Sequence, residues 1–228
     1  MGFSLENVSF GYPGKALVLD QASCDFPPGS FTAVTGPSGT GKSTLLRLLC
    51  RLEEAQAGVI RFGGTPITDQ QPDELRRRAV YIQQTPTVLD GPVRDNLLLP
   101  FTFAANSALP RPDDDALRSR LDEFLLHDIT LDQSAHSLSV GQKQRLCLIR
   151  ALLLSPSALL FDEPTSALDP ESAEVVVNTA LGLRRAGVTV VYVAHDRDLS
   201  AHADVATLRL AGGKTERVAE KRISEDRP

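Results

Sequence analysis

The apolar stretch Phe31-Thr32-Ala33-Val34 runs almost directly into Gly36-Pro37-Ser38-Gly39-Thr40-Gly41-Lys42-Ser43-Thr44, and Leu45, Leu46, Leu48 and Leu49 follow. This run fits the pattern G-x-x-x-x-G-K-[ST], and its context predicts strand, loop and helix in that order. The glycines at 36, 39 and 41 allow a tight loop whose backbone N–H groups converge on an anion. The helix expected from about 42 to 51 brings the positive end of its dipole to the same point. A nucleoside triphosphate suits such a nest. Lys42 is placed to reach the β- and γ-phosphates, and the Ser43 hydroxyl to ligate Mg²⁺.

A second apolar stretch, Ala158-Leu159-Leu160-Phe161, ends in Asp162-Glu163. Parallel sheets present ligands at the carboxyl ends of their strands. Asp162 is therefore placed to hold Mg²⁺ or its water, and Glu163 to act as general base on an attacking water. Two solvated loop carboxylates would be the plainer reading were the phosphate loop absent.

Strands are expected at 3–10, 17–26, 59–62, 79–82 and 188–194, and helices at 142–154 and 170–185. Residues 205–210 and 215–218, joined through Gly212-Gly213, read as a hairpin. From 85 to 137 strand signals vanish and prolines cluster (Pro86, Pro92, Pro100, Pro110, Pro112), while helical patterns appear near 93–99 and 113–126. The expected architecture is α/β: a P-loop NTPase core with a mainly parallel sheet, an N-terminal antiparallel β-subdomain and an inserted α-helical lobe at about 85–155. Residues 1–219 read as one domain and 220–228 as a charged tail.

The formal net charge of −5 argues against a nucleic-acid partner, which needs a basic face. Cys24, Cys50 and Cys147 have no metal-type spacing and read as buried free thiols of a reducing compartment. The first residues do not form a signal peptide, and no stretch is apolar enough to span a membrane. Any membrane-spanning part is expected on another chain.

Leu138-Ser139-Val140-Gly141-Gln142 precedes a helix and alone could be a plain N-cap. Together with the two motifs above it resembles the L-S-G-G-Q signature of the ABC ATPases, and the resemblance covers about 5–210. Val140 departs from it, standing where the family has its first signature glycine. The resemblance implies ATP and Mg²⁺ as ligands. It implies that Ser139 and Gly141, with Gln142, approach the γ-phosphate bound by a partner subunit. Gln84, after the strand ending at Ile82, resembles the glutamine that ligates Mg²⁺ and senses the nucleotide. His195 resembles the switch histidine that contacts the γ-phosphate, and Tyr12 the aromatic that stacks on adenine. Asp169, in Ser166-Ala167-Leu168-Asp169, resembles the loop that crosses the dimer interface, and before Pro170 it is also a natural N-cap.

The resemblance further implies a head-to-tail dimer, with a second copy or a related ATPase, and a separate integral membrane subunit. The expected location is cytoplasmic, peripheral on the inner face of the cell membrane. The loop from Gln84-Thr85-Pro86 to Asn96-Leu97 is similar to that of exporter-type domains. Those carry a Glu-Arg-Gly element before the signature, where this chain has Asp132 to Ser137. The pattern is similar to a small family of free-standing ATPases linked to iron export and metal tolerance. A soluble ABC ATPase of an assembly complex stays open as the other reading.

Overall fold

The computed structural model describes residues 1–194, 199 and 205–218, so His195 and the tail at 220–228 lie outside the described residues. In chain order the elements are β1 (Phe3–Phe10), β2 (Leu19–Phe26), β3 (Phe31–Thr35), α1 (Lys42–Leu49), β4 (Ala57–Phe62), β5 (Thr65–Pro66), α2 (Pro72–Arg78), β6 (Ala79–Ile82) and α3 (Val93–Leu98). They continue as α4 (Asp114–Glu123), α5 (Val140–Leu152), β7 (Ala158–Asp162), α6 (Pro170–Arg185), β8 (Thr189–Val193), β9 (Ala206–Ala211) and β10 (Lys214–Val218). Short 3-10 turns occupy 67–69, 99–102, 104–106 and 135–137.

The strands form two sheets. One is four-stranded and antiparallel, in the order β2-β1-β4-β5, and the other is six-stranded, in the order β10-β9-β3-β8-β7-β6. In the larger sheet β9, β3, β8, β7 and β6 run parallel, and only β10 is antiparallel, as the hairpin partner of β9.

Strands buried on both faces read as near-continuous apolar runs, and β7 and β8, buried throughout, are apolar except at Asp162 and Thr189. Their side chains alternate between two cores. Ala158, Leu160, Val191 and Val193 face a cluster shared with α1 and the antiparallel sheet, where Phe3, Phe26 and Phe62 pack. Leu159, Phe161, Val190 and Tyr192 face the other side, against Leu97, Leu121, Leu148, Val176 and neighbours from α3 to α6. The four leucines of α1 are fully buried between the two sheets, which anchors the helix that the phosphate loop feeds. Each contributes about 1.5–3 kcal/mol on leaving water.

Between β6 and β7 the described chain contains helices and turns but no strand. The helix α2 is absent from the sequence reading. It buries only Leu75, so it has no apolar periodicity to detect. It stands on Pro72 at its first turn, acidic residues Asp73 and Glu74 near its N-terminus and three arginines at its end. Cys24, Cys50 and Cys147 are free thiols, and burial pushes Cys50 up to about 11, leaving it protonated and inert.

Candidate nucleotide site

The phosphate loop joins β3, in the middle of the large sheet, to α1. Gly36 and Gly41 sit at φ 147° and 99°, in the region that favours glycine. Space demands glycine as well. A Cβ at Gly36 would overlap the Leu210 carbonyl oxygen, and one at Gly41 would overlap Val18 Cγ1. Within the loop, Thr40 Oγ1 donates to the Pro37 carbonyl at 2.8 Å. The Lys42 side chain is buried and folds back over the loop, its Nζ donating to the carbonyls of Gly36 at 2.8 Å and Pro37 at 3.1 Å. A phosphate oxygen entering the nest would take over those two bonds.

Two strands away, β7 carries Asp162 to the same end of the sheet. Its carboxylate is 4% exposed, and both oxygens are engaged. Oδ1 accepts from Ser43 Oγ at 2.7 Å and Oδ2 from the Tyr81 hydroxyl at 2.5 Å. A hydroxyl and a carboxylate side by side against a phosphate loop suit Mg²⁺, which is bound by one or two carboxylates together with substrate phosphates. No group of three or more His, Cys, Asp or Glu side chains able to hold a metal occurs among the described residues.

Glu163 leaves the strand with φ 48°, a conformation that costs a non-glycine residue about 1–3 kcal/mol. Its Oε2 accepts from Gln84 Nε2 at 3.2 Å, and Gln84 also donates to Ser166 Oγ at 3.3 Å. The neighbouring Gln83 instead turns its backbone carbonyl toward Gln144 Nε2 at 3.4 Å. Tyr12 closes the far side. Its hydroxyl lies 3.3 Å from Thr44 Oγ1 and 3.4 Å from Glu53 Oε1, and its ring meets Phe10 edge-on at 5.1 Å. Tyr12, Lys15, Ser38, Lys42, Ser43 and Glu163 share one cleft of about 370 Å³.

Ser139, Gly141, Gln142 and Asp169 do not line that cleft and gather elsewhere, where α5 and α6 begin. Ser139 caps α5 reciprocally with Gln142: the Gln142 N–H donates to Ser139 Oγ at 3.2 Å and the Ser139 N–H to Gln142 Oε1 at 2.9 Å. Asp169 caps α6 by accepting from the Ser172 N–H at 2.9 Å, a bond that holds its carboxyl below the usual range. The two helix starts touch at Gly141, whose Cβ would stand 2.9 Å from Ser172 Oγ and 3.7 Å from Asp169 Oδ2. Ser139, Val140 and Asp169 are exposed, while Gly141 is buried between the two helix starts.

Two residues that the sequence reading passed over complete the first cluster. Tyr81, in β6, binds Asp162. Burial first, and then that carboxylate, pushes the Tyr81 hydroxyl far up, so it stays a donor. Arg47, in α1, has the Tyr81 and Tyr12 hydroxyls as neighbours, and chiefly Tyr81 raises its pKa. Neither residue belongs to a sequence pattern, and it is the pairing of β6 with β7 that brings Tyr81 to Asp162.

The ABC transporter family profile matches residues 19–166. The chain is 37% identical over 213 residues to the probable iron export ATP-binding protein FetA of Escherichia coli (strain K12), covering 92% of both chains. It is also 37% identical to the mycobactin import ATP-binding/permease protein IrtA of Mycolicibacterium smegmatis, spanning 92% of this chain but only 24% of that protein. Among solved structures, a bacterial Atm1-family ABC exporter with ATP bound superposes with a TM-score of 0.81 at 28% identity, covering 96% of this chain and 38% of that one. A phosphate loop, a carboxylate pair at the end of β7 and a capped signature helix, with relatives matched along nine-tenths of the chain, make it an ATP-binding member of the ABC transporter family.

Proposed function

We propose that this chain hydrolyses ATP as one of two ATPase subunits set head to tail, and so powers a separate membrane subunit that exports iron or another metal. Each composite site takes its phosphate loop and Glu163 from one chain and Ser139, Gly141, Gln142 and Asp169 from the other. The observation that carries this reading is the division of the candidate residues into two clusters, one lining a cleft and the other at the starts of α5 and α6, where Ser139 and Asp169 are exposed.

Within such a site the residues 36–44 wrap the phosphates, and Lys42 exchanges its loop carbonyls for phosphate oxygens. Ser43, Asp162 and Gln84 would hold Mg²⁺, which would neutralise negative charge on the phosphate oxygens. Glu163 accepts the proton of the attacking water, His195 contacts the γ-phosphate and Tyr12 stacks on the adenine ring. We read 1–219 as one domain, with 85–155 as its helical lobe and 220–228 as a tail.

A cavity of about 510 Å³ between α2 and the turns at 99–106 supports a docking place for the membrane subunit. Phe103 at its edge is 56% exposed. Arg77 Nε and Asn106 Oδ1, from residues lining it, are buried with no hydrogen-bond partner. No helix among the described residues is long and apolar enough to cross a membrane. The E. coli relative, matched over 92% of its own length, supports a free-standing ATPase and a metal cargo. The two relatives' names differ in direction of transport, and export follows the one matched over 92% of its length.

Complementation tests the shared site. A Lys42→Ala chain and a Gly141→Asp chain should each be inactive alone. Mixed one to one, half the dimers are mixed and each keeps one intact composite site, so about a quarter of the parent activity should return. No recovery from a mixture that forms dimers would rule out sites shared between chains. Capture of a tagged Glu163→Gln chain with MgATP from detergent-solubilised membranes of its own source should bring down a polytopic membrane protein. Soluble partners alone would remove the transporter assignment.

A further inference from the structure

We infer that Tyr81 is a positioning residue for the metal: its hydroxyl, donating to Oδ2 of Asp162, fixes the orientation in which that carboxylate, together with Ser43, receives Mg²⁺. The inference rests on the assignment of Asp162 to the metal made above. The geometry is specific. Asp162 is almost fully buried and has two oxygens to satisfy. Ser43 takes one at 2.7 Å and Tyr81 the other at 2.5 Å, lengths typical of bonds to an ionised acceptor. The donors come from different elements, α1 and β6, so the carboxylate of β7 is held from two directions.

Removing the hydroxyl leaves a buried carboxylate oxygen without its donor. The carboxylate must then rotate or take up a proton, and either response competes with cation binding. A ring that merely packs would be replaced by phenylalanine without consequence. Partners behind a metal ligand typically account for 10–100-fold in metal affinity.

The experiment compares Tyr81→Phe with the parent chain, using a fluorescent, non-hydrolysable ATP analogue. Its affinity is measured once in EDTA and once with excess Mg²⁺. The EDTA affinity, which reports the phosphate loop alone, should stay within about twofold, while the magnesium-bound affinity should fall about tenfold. A variant that keeps the whole gain from Mg²⁺ would overturn the role of Tyr81, and so would equal losses with and without Mg²⁺, which mark a general packing defect. A parent chain that gains nothing from Mg²⁺ would sink the assignment of Asp162 and this inference with it.

Discussion

Glu163→Gln is expected to lower ATP turnover at least about a hundredfold while leaving ATP affinity within about twofold, the range set by losing a general base without losing its shape. The amide keeps the size and planarity of the carboxylate and can still pair with Gln84, now through its own oxygen. What it lacks is the basicity to take a proton from water. The backbone supports the same conclusion. Glu163 is held at a left-handed φ of 48° directly after a fully buried strand, so its side chain leaves β7 toward the cleft that Lys42 and Ser43 line. Strain of this kind persists where the surrounding structure over-determines a position. In the proposed head-to-tail pair hydrolysis would open the closed dimer, so the variant should accumulate as an ATP-bound dimer, seen as a doubled mass by light scattering with MgATP and not with ADP. Turnover within about twofold of the parent would remove Glu163 from the chemistry.

Local signals made much of the fold readable. The helix over 170–185 is bounded by Asp169 as cap, Pro170 at its first turn and Gly187 just past its end, and each acts through neighbours a few residues away. The strands at 158–162 and 189–193 are buried at every position and apolar except for Asp162 and Thr189 at their ends, because both faces are covered. The helix over 72–78 is held by charge and a proline, with one buried leucine, and therefore leaves no pattern. In the site, the loop residues assigned to the phosphates are contiguous, which makes a motif possible. Tyr81 and Asp162 are 81 positions apart and meet only because β6 and β7 pair in parallel register. The sequence marks both as strand residues but carries no sign of which strands adjoin. The second cluster differs again. An N-cap before α5 is legible in the sequence, whereas the contact of Gly141 with Ser172 depends on how α5 and α6 approach.

The loop glycines make a sharper demand on the site than any of its charged groups, and they do so unequally. Gly36→Ala should abolish measurable ATP binding. The new Cβ would overlap the carbonyl oxygen of Leu210, which lies in β9 between β3 and β10 and cannot withdraw without breaking the sheet. The loop must move instead, and the N–H groups that converge on the phosphates move with it. Gly41→Ala meets a softer obstacle, the half-buried side chain of Val18. Its backbone cost remains, since φ is 99° and a left-handed residue with a Cβ loses about 1–2 kcal/mol. With the overlap added, a total near 3 kcal/mol corresponds to about a hundredfold weaker binding. Trimming the obstacle separates the two costs: Gly41→Ala with Val18→Ala should recover about tenfold of that loss, the share due to overlap, and no more. Gly36→Ala should gain nothing from the same change, because its obstacle is backbone. Titration of ATP into the four variants, with circular dichroism to show that each is folded, reads both effects. If Gly36→Ala binds as well as the parent, the close approach of the loop to β9 does not govern nucleotide binding.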